Sequence, residues 1–294
     1  MVLAQQSSAD LSSAIAVRST TCQVVMSPAL DFPSRLRWWR RRRSISQLEL
    51  AGRAEISQRH LSFLELGRSS PSRQMVLRLA AALEVPLRQQ NALLLAAGFA
   101  PAWRETELAA PALAQVRSGI DYILRQQEPF PAVVVDRRWN LLQANLGAVR
   151  LVEFLLGPLP PDVPINLADA LVAPDVLRPF LVNWPEVVGY FIRTVEADAA
   201  GDGTPETAAL LQRLLAYSGV EPVMKRTSLE PTSGPVLPMR CEKGEISLSL
   251  FTTIATLGTP QDITLQELRI ECFFPMDETT AEVFWSWATG RTDR

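Results

Sequence analysis

The chain reads as two modules of different fold class, an all-α unit of five short helices over residues 31–100 and an α+β unit with an antiparallel sheet over 129–294. Three observations point there. Ser46, Ser57 and Ser72 stand where short apolar-periodic segments begin, as helix-capping hydroxyls do. Residues 236–275 carry strand-like segments, with Ser247, Ser249 and Thr253 set among Leu248, Leu250 and Ile254 in the alternation of a half-buried antiparallel strand. Charge divides the same way. Residues 31–100 hold twelve Arg, no Lys and five acids, a balance of +7, while 101–294 hold sixteen bases against twenty-five acids, a balance of −9. A basic module beside an acidic one suggests a polyanionic partner for the first alone.

Residues 1–30 are rich in Ser, Ala, Gln and Thr without an amphipathic period and read as a mobile tail. The first helix is expected from Asp31 to Arg43, with Leu36, Trp39 and Arg43 on one side, Phe32 one turn earlier and the remaining arginines toward water or phosphate. Helices are then expected at Ser46–Ala54, Ser57–Leu66, Ser72–Leu83 and Pro86–Ala97. Leu48, Ala51 and Ala54 make the apolar face of the second helix, Leu61 and Leu64 that of the third, and Gly67 offers a left-handed stop. The second and third helices with their tight turn form a helix-turn-helix. It leaves Gln58, Arg59, Ser62 and Phe63 outward, where a reading helix presents side chains to bases.

Residues 101–128 suggest a connecting helix striped by Leu113, Val116, Ile120, Ile123 and Leu124, equally suited to joining modules, forming a dimer or covering the next core. Pro131–Asp136 and Trp139–Ala144 read as a hairpin turned at Arg137-Arg138, and Asn145 caps a helix over Leu146–Leu156. Helical segments are expected at Leu167–Val172, Pro174–Ala200 and Pro205–Ser218. Strands follow at Val236–Cys241, Glu245–Leu257 and Glu267–Pro275, then a helix at Thr279–Thr289.

Ser46-Gln47, Leu50-Ala51, Ile56-Ser57, Leu61, Leu64-Glu65, Gly67, Pro71-Ser72 and Leu79–Leu83 resemble the Xre/Cro type of helix-turn-helix. The resemblance implies that the helix from Ser57 lies in the major groove, that Gln47 sits on a phosphate and that Arg40 pairs with Glu65. Glu55 departs from it, standing at the turn position where Gly is usual. The turn must then tolerate a left-handed residue or take another path. Strand, turn with Asp, strand and Asn-capped helix resemble the opening of a PAS domain. Taken with Asn91–Pro101, Pro129–Asn140, Leu177-Arg-Pro179, Asn183-Trp184, Thr259-Pro-Gln-Asp262 and Glu267–Glu271, residues 32–285 resemble the MmyB-like family of bacterial transcription regulators. Ala173 stands where its members commonly carry His, so no role of that His transfers.

The DNA-contact candidates are Gln47, Ser57, Gln58, Arg59, His60, Ser62, Phe63, Arg68 and Arg73. Gln58 and Arg59 suit base edges, Gln to adenine and Arg to guanine, whereas Gln47, Arg68 and Arg73 suit phosphates. The ligand-pocket candidates are Phe154, Phe180, Trp184, Val188, Phe191, Ile192, Leu250 and Ile254, apolar walls that favour a fatty-acid-like molecule over a sugar or nucleotide. The same residues also suit a filled core.

His60 is the only histidine, so a Ser-His-Asp set and a His-ligated haem in the second module both lack their residue. Cys22, Cys241 and Cys272 lack metal spacing and read as reduced thiols of a cytoplasmic protein. No metal, essential cofactor, membrane span or enzymatic activity is expected. The reading is a homodimeric, sequence-specific regulator that binds double-stranded DNA, its PAS-like module taking a small apolar ligand such as a fatty acid. The alternative is a PAS-like module that only dimerises or holds a protein partner.

Overall fold

In the computed structural model, which describes residues 31–158, 163–226 and 235–290, each capping serine does what its position implies. The hydroxyls of Ser46, Ser57 and Ser72 accept from the amides of Glu49, His60 and Met75 at 3.1–3.2 Å. They start α2 (Gln47–Arg53), α3 (Gln58–Glu65) and α4 (Arg73–Ala82). Asp31 caps α1 (Phe32–Arg42) through Ser34 N, and α5 (Leu87–Ala96) completes the set. Their core is built from Phe32, Leu36, Trp39, Leu50, Leu61, Leu64, Val76, Leu79, Leu83 and Leu94.

One apolar face is not where it was expected. Leu48 is 67% exposed, and Leu50 is the buried leucine of α2. Leu50, Ala51 and Ala54 share the i, i+1, i+4 stripe of one face, and Leu48 lies across the helix from it.

The turn before α3 keeps the helix-turn-helix path by placing Glu55 at φ 54. A left-handed non-glycine residue costs ~1–2 kcal/mol. Exposed Glu55 gains nothing in return, so Glu55→Gly is expected to raise stability by about 1 kcal/mol in urea unfolding of the full chain. A loss would show that the strain is relieved elsewhere.

The helical unit comprises residues 31–106 and one later segment, Thr259–Gln266. That segment is tied in by hydrogen bonds. Ile263 N donates to Arg104 O at 2.8 Å, and Thr106 Oγ1 to Asp262 Oδ2 at 2.7 Å. Leu87 N donates to Gln266 Oε1 at 2.8 Å, which gives α5 the cap that Pro86 cannot supply.

The second unit comprises residues 107–258 and 267–290 among those described. Its sheet has five antiparallel strands in the order β2-β1-β5-β4-β3. These are β1 (Ala132–Val135), β2 (Leu141–Ala144), β3 (Met239–Lys243), β4 (Ile246–Ala255) and β5 (Arg269–Pro275). β1 is buried at every residue, the pattern of a strand covered on both faces. Ala132 and Val134 pack with Ile270 and Cys272 against Ile120 and Leu124 of α6 (Ala114–Gln126).

Val133 and Val135 face the larger core with Leu248 and Leu250. They lie there under α7 (Leu146–Leu156) and α9 (Trp184–Asp202). The other helices of this unit are α8 (Leu167–Val172), α10 (Pro205–Leu215), α11 (Val220–Arg226) and α13 (Glu278–Thr289), while α12 (Ile263–Glu267) starts in the segment that belongs to the helical unit.

Three helical expectations are corrected. The connector is helical only over α6, after a 3-10 turn at Pro111–Leu113, and α6 covers the sheet of the second unit, one of the three roles that suited it. The helix expected over Pro174–Ala200 is broken. A 3-10 turn at Arg178–Phe180 leads to Leu181, which bridges to Cys241 before α9 begins at Trp184. Pro179 and Pro185 lack the amide hydrogens a continuous helix needs. The short helices α11 and α12 were not expected. The tail over 1–30 and most of the Pro-rich link over 158–164 lie outside the described residues.

Asn145 does more than cap. Its Oδ1 accepts from Ala148 N and from Ala132 N, both at 2.9 Å, and its Nδ2 donates to Phe130 O at 2.8 Å and Leu124 O at 3.2 Å. One buried amide therefore joins α7 to β1 and to the end of α6.

Candidate nucleic-acid interface and ligand-binding module

A reading helix must hold its orientation while its outer side chains stay free. α3 is held through Glu65, whose side chain is 3% exposed. Arg40 Nε donates to Glu65 Oε1 at 2.6 Å and Nη2 to Oε2 at 2.9 Å, a two-pronged pair from α1. Gln47 Nε2, from α2, donates to Oε2 at 2.7 Å, and Arg37 donates to the Glu65 carbonyl. Burial alone would raise the Glu65 carboxyl. The bonds from Arg40 and Gln47, with the fields of Arg40 and Arg37, overcome this and hold it below its ordinary value. The pair implied by the Xre resemblance is present and ties three helices together.

Gln58 and Arg59 are exposed on the outward side of α3, and His60, Ser62 and Phe63 are half-buried beside them. The Arg59 guanidinium lies 5.4 Å from the Phe63 ring centroid, so the two form one amphipathic tip. Ser57, Arg68 and Arg73 are exposed at the ends of α3 and α4. Gln47 gives one of the two N–H donors of its amide to Glu65. Within the α1 arginine run, Arg43 donates to the carbonyls of Leu83 and Glu84, both at 2.9 Å, and secures the end of α4. Arg42 lies 4.4 Å over the Trp38 ring.

In the second unit the structure separates the eight residues expected to line one pocket. Val188, Ile192 and Leu250 are fully buried and fill the core. Trp184 is also buried, its Nε1 donating to Leu171 O at 2.9 Å with Arg178 3.8 Å over its ring. Phe154 and Phe180 lie under Lys243, each ring centroid 5.7 Å from its ammonium. Phe154 also lines an open groove of about 690 Å³ with Arg150, Glu153, Val283 and Trp287. Phe191 and Ile254 remain accessible on the sheet's core-bearing face. Burial pushes the Cys241 thiol up to about 12, and both Cys241 and Cys272 pack in cores.

Sequence reasoning passed over a second set on that face. Trp139, expected in a strand, sits in the β1–β2 turn at φ 65. Asp136 fixes this turn, its Oδ1 accepting from Arg138 N and Asn140 N at 2.8 and 2.9 Å. Asn166 donates to Arg138 O at 2.7 Å. The indole is buried 4.8 Å from the Phe191 ring, and the Arg269 guanidinium lies 5.5 Å from its centroid. Arg269 is held by Asp198 at 2.7 Å.

Glu271 follows on the same face of β5, paired with Val133 and Ile254. Desolvation pushes its carboxyl up to about 7, against a hydrogen bond from Thr252 and the field of Arg269. Arg269 and Glu271, two charges at period two in an otherwise apolar strand, were the available signal.

Among the described residues no helix is long and apolar enough to cross a membrane, and no cluster of three or more His, Cys, Asp or Glu is arranged to hold a metal.

The comparisons agree with this division of labour. The family model described as the MmyB-like transcription regulator ligand binding domain matches residues 116–284. A helix-turn-helix family model matches residues 36–90. No curated protein matches the chain.

Proposed function

The chain belongs to the MmyB-like transcription regulators, a DNA-binding regulator with a ligand-binding domain, and on that premise we propose that Gln58 and Arg59 read base edges while a PAS-like C-terminal unit senses a fatty-acid-like ligand. The observation that carries the DNA reading is the Arg40–Glu65 clamp, which fixes α3 and leaves Gln58 and Arg59 exposed. Arg68 and Arg73 would hold phosphates, as would the exposed Arg41.

Support for the sensor comes from the strand order β2-β1-β5-β4-β3 under a helical layer and from the partly accessible aromatic face at Phe191. Two copies would read half-sites about one helical turn apart, and a ligand favouring one arrangement of the dimer would change their spacing. The exposed apolar side chains Leu146 and Val149 on α7 and Trp285 on the adjoining α13 favour such self-association. They equally support the second reading, in which this unit only dimerises or holds a protein partner.

Selection of binding sites from a random duplex library tests the reader. Arg59→Ala is expected to relax the preference at a guanine by ~1–3 kcal/mol. Arg68→Ala should instead weaken all sequences evenly. A base preference unchanged in Arg59→Ala removes that residue from the reading role. Mass spectrometry of denatured, purified protein separates the two readings of the second unit. A copurifying lipid supports the sensor. Its absence, together with no thermal shift across a lipid panel, leaves the partner module.

A further inference from the structure

The core beneath the sheet holds a polar atom that the fold itself does not use. Trp139 is 3% exposed, yet its Nε1–H has no hydrogen-bond acceptor among the described residues. The same residue takes φ 65, a region that bulky side chains rarely occupy, and the bonds of Asp136 and Asn166 keep it there. A strained backbone and an orphaned donor on one side chain point from structure to a binding role, because neither helps the fold. Phe191 and Arg269 beside the indole, and Glu271 and Phe273 further along the same face of β5, all keep some accessibility, although Val133, Val135, Leu248 and Leu250 on that face are buried. The exposed Ile254 lies opposite Glu271 on β4.

Resting on the reading of this unit as a ligand-binding module, we propose that this face takes the polar end of an amphiphile, which accepts a hydrogen bond from Trp139 Nε1 and donates one to the Glu271 carboxyl, its apolar chain running along Phe191, Phe273 and Ile254. The ligand class is an apolar chain ending in a protonated acid, an alcohol or a primary amide, each of which both accepts and donates. A carboxylate alone fits badly, because two negative charges beside each other cannot both persist and one of the pair must hold a proton.

Arg269, the cation on Glu271's own strand, is already matched by Asp198 of α9. The cross-strand neighbours Val133 and Ile254 carry no charge, and Cys272 faces the opposite core. Arg137 of the β1–β2 turn is engaged with Asp202, Glu206 and Glu267. With a free carboxyl near 7, a fatty acid entering above that pH brings one proton with it.

Calorimetric titration of the delipidated full chain with dodecanol and dodecanoic acid between pH 6 and 8.5 tests this. Dodecanol affinity should stay flat, while dodecanoic acid affinity should fall roughly tenfold per pH unit above 7. Trp139→Phe, which keeps the ring, should weaken both probes about tenfold. The isosteric Glu271→Gln should abolish the pH dependence for the acid. Probes that bind with equal strength to wild type and both variants, or acid binding indifferent to pH, overturn the head-group site alone. Failure of wild type to bind either probe overturns the apolar-ligand reading and this site with it.

Discussion

Replacing Glu65 by alanine is expected to cost the helical unit ~3–5 kcal/mol, because the Arg40 guanidinium then stays largely buried without its countercharge. A loss of that size is comparable to the whole stability of many small domains. Hydrogen exchange read on peptides from 32–96 should show α1, α2 and α3 opening together, since Glu65 receives a bond from each of α1 and α2. Glu65→Gln should cost less, as the amide can still accept from Arg40. Replacing Arg40 and Glu65 together by Met and Leu should recover much of the loss.

The pH dependence has a definite sign. The Glu65 carboxyl is held below its ordinary value of 4.5 in the fold. Its contribution is therefore present above that value and disappears as pH falls through the folded one. Exchange in α1–α3 that ignores both single substitutions would show the clamp to be dispensable.

Gly147→Ala is expected to destabilise the second unit by at least ~3 kcal/mol, the reverse of what alanine does in an open helix position. A Cβ at 147 would lie 2.3 Å from Pro129 O and 2.8 Å from the carbonyl carbon of Phe130, both backbone atoms. No flexible side chain can yield there, so α7 must lift and strain the four hydrogen bonds of Asn145. Gly119 in α6 supplies the control, because a Cβ there meets nothing within 4 Å. Gly119→Ala should gain about 1 kcal/mol. Thermal unfolding of the two variants side by side checks the contrast. Equal shifts of the same sign would contradict the close approach of α7 to Phe130.

The helical unit was legible wherever local chemistry governs. Ser46, Ser57 and Ser72 mark their helix starts to the residue, since a capping hydroxyl acts within three positions of itself. The Leu48 and Leu50 exchange shows where this stops. Both are leucines in one short helix, and which one is buried follows from how α2 packs on its neighbours. In the second unit Asn145 was recognised as a cap, but its bonds to Ala132 and Phe130 depend on chain partners 13 and 15 residues away.

The break at Leu181 arises because that residue bridges to Cys241, a pairing invisible along the chain. The set around Trp139 was missed for the same reason. The tryptophan reads as a strand residue, and only its turn at Asp136 and the register of β1 with β5 bring it, Arg269 and Glu271 to one face.

The order in which this chain emerges during synthesis matters for its DNA-reading unit. Leu87 and the Gln266 side chain that caps its helix lie 179 positions apart, and Thr106 waits across 156 positions for Asp262. The five helices can collapse early, but their last bonds form only after Asp262 and Gln266 have left the ribosome, behind β1 to β4 of the second unit. A fragment ending near residue 106 would carry all of α1 to α5 and still lack the final stitches. The helical unit acquires its closing bonds only once β1 to β4 of the second unit have been made, with β5 and α13 still to follow.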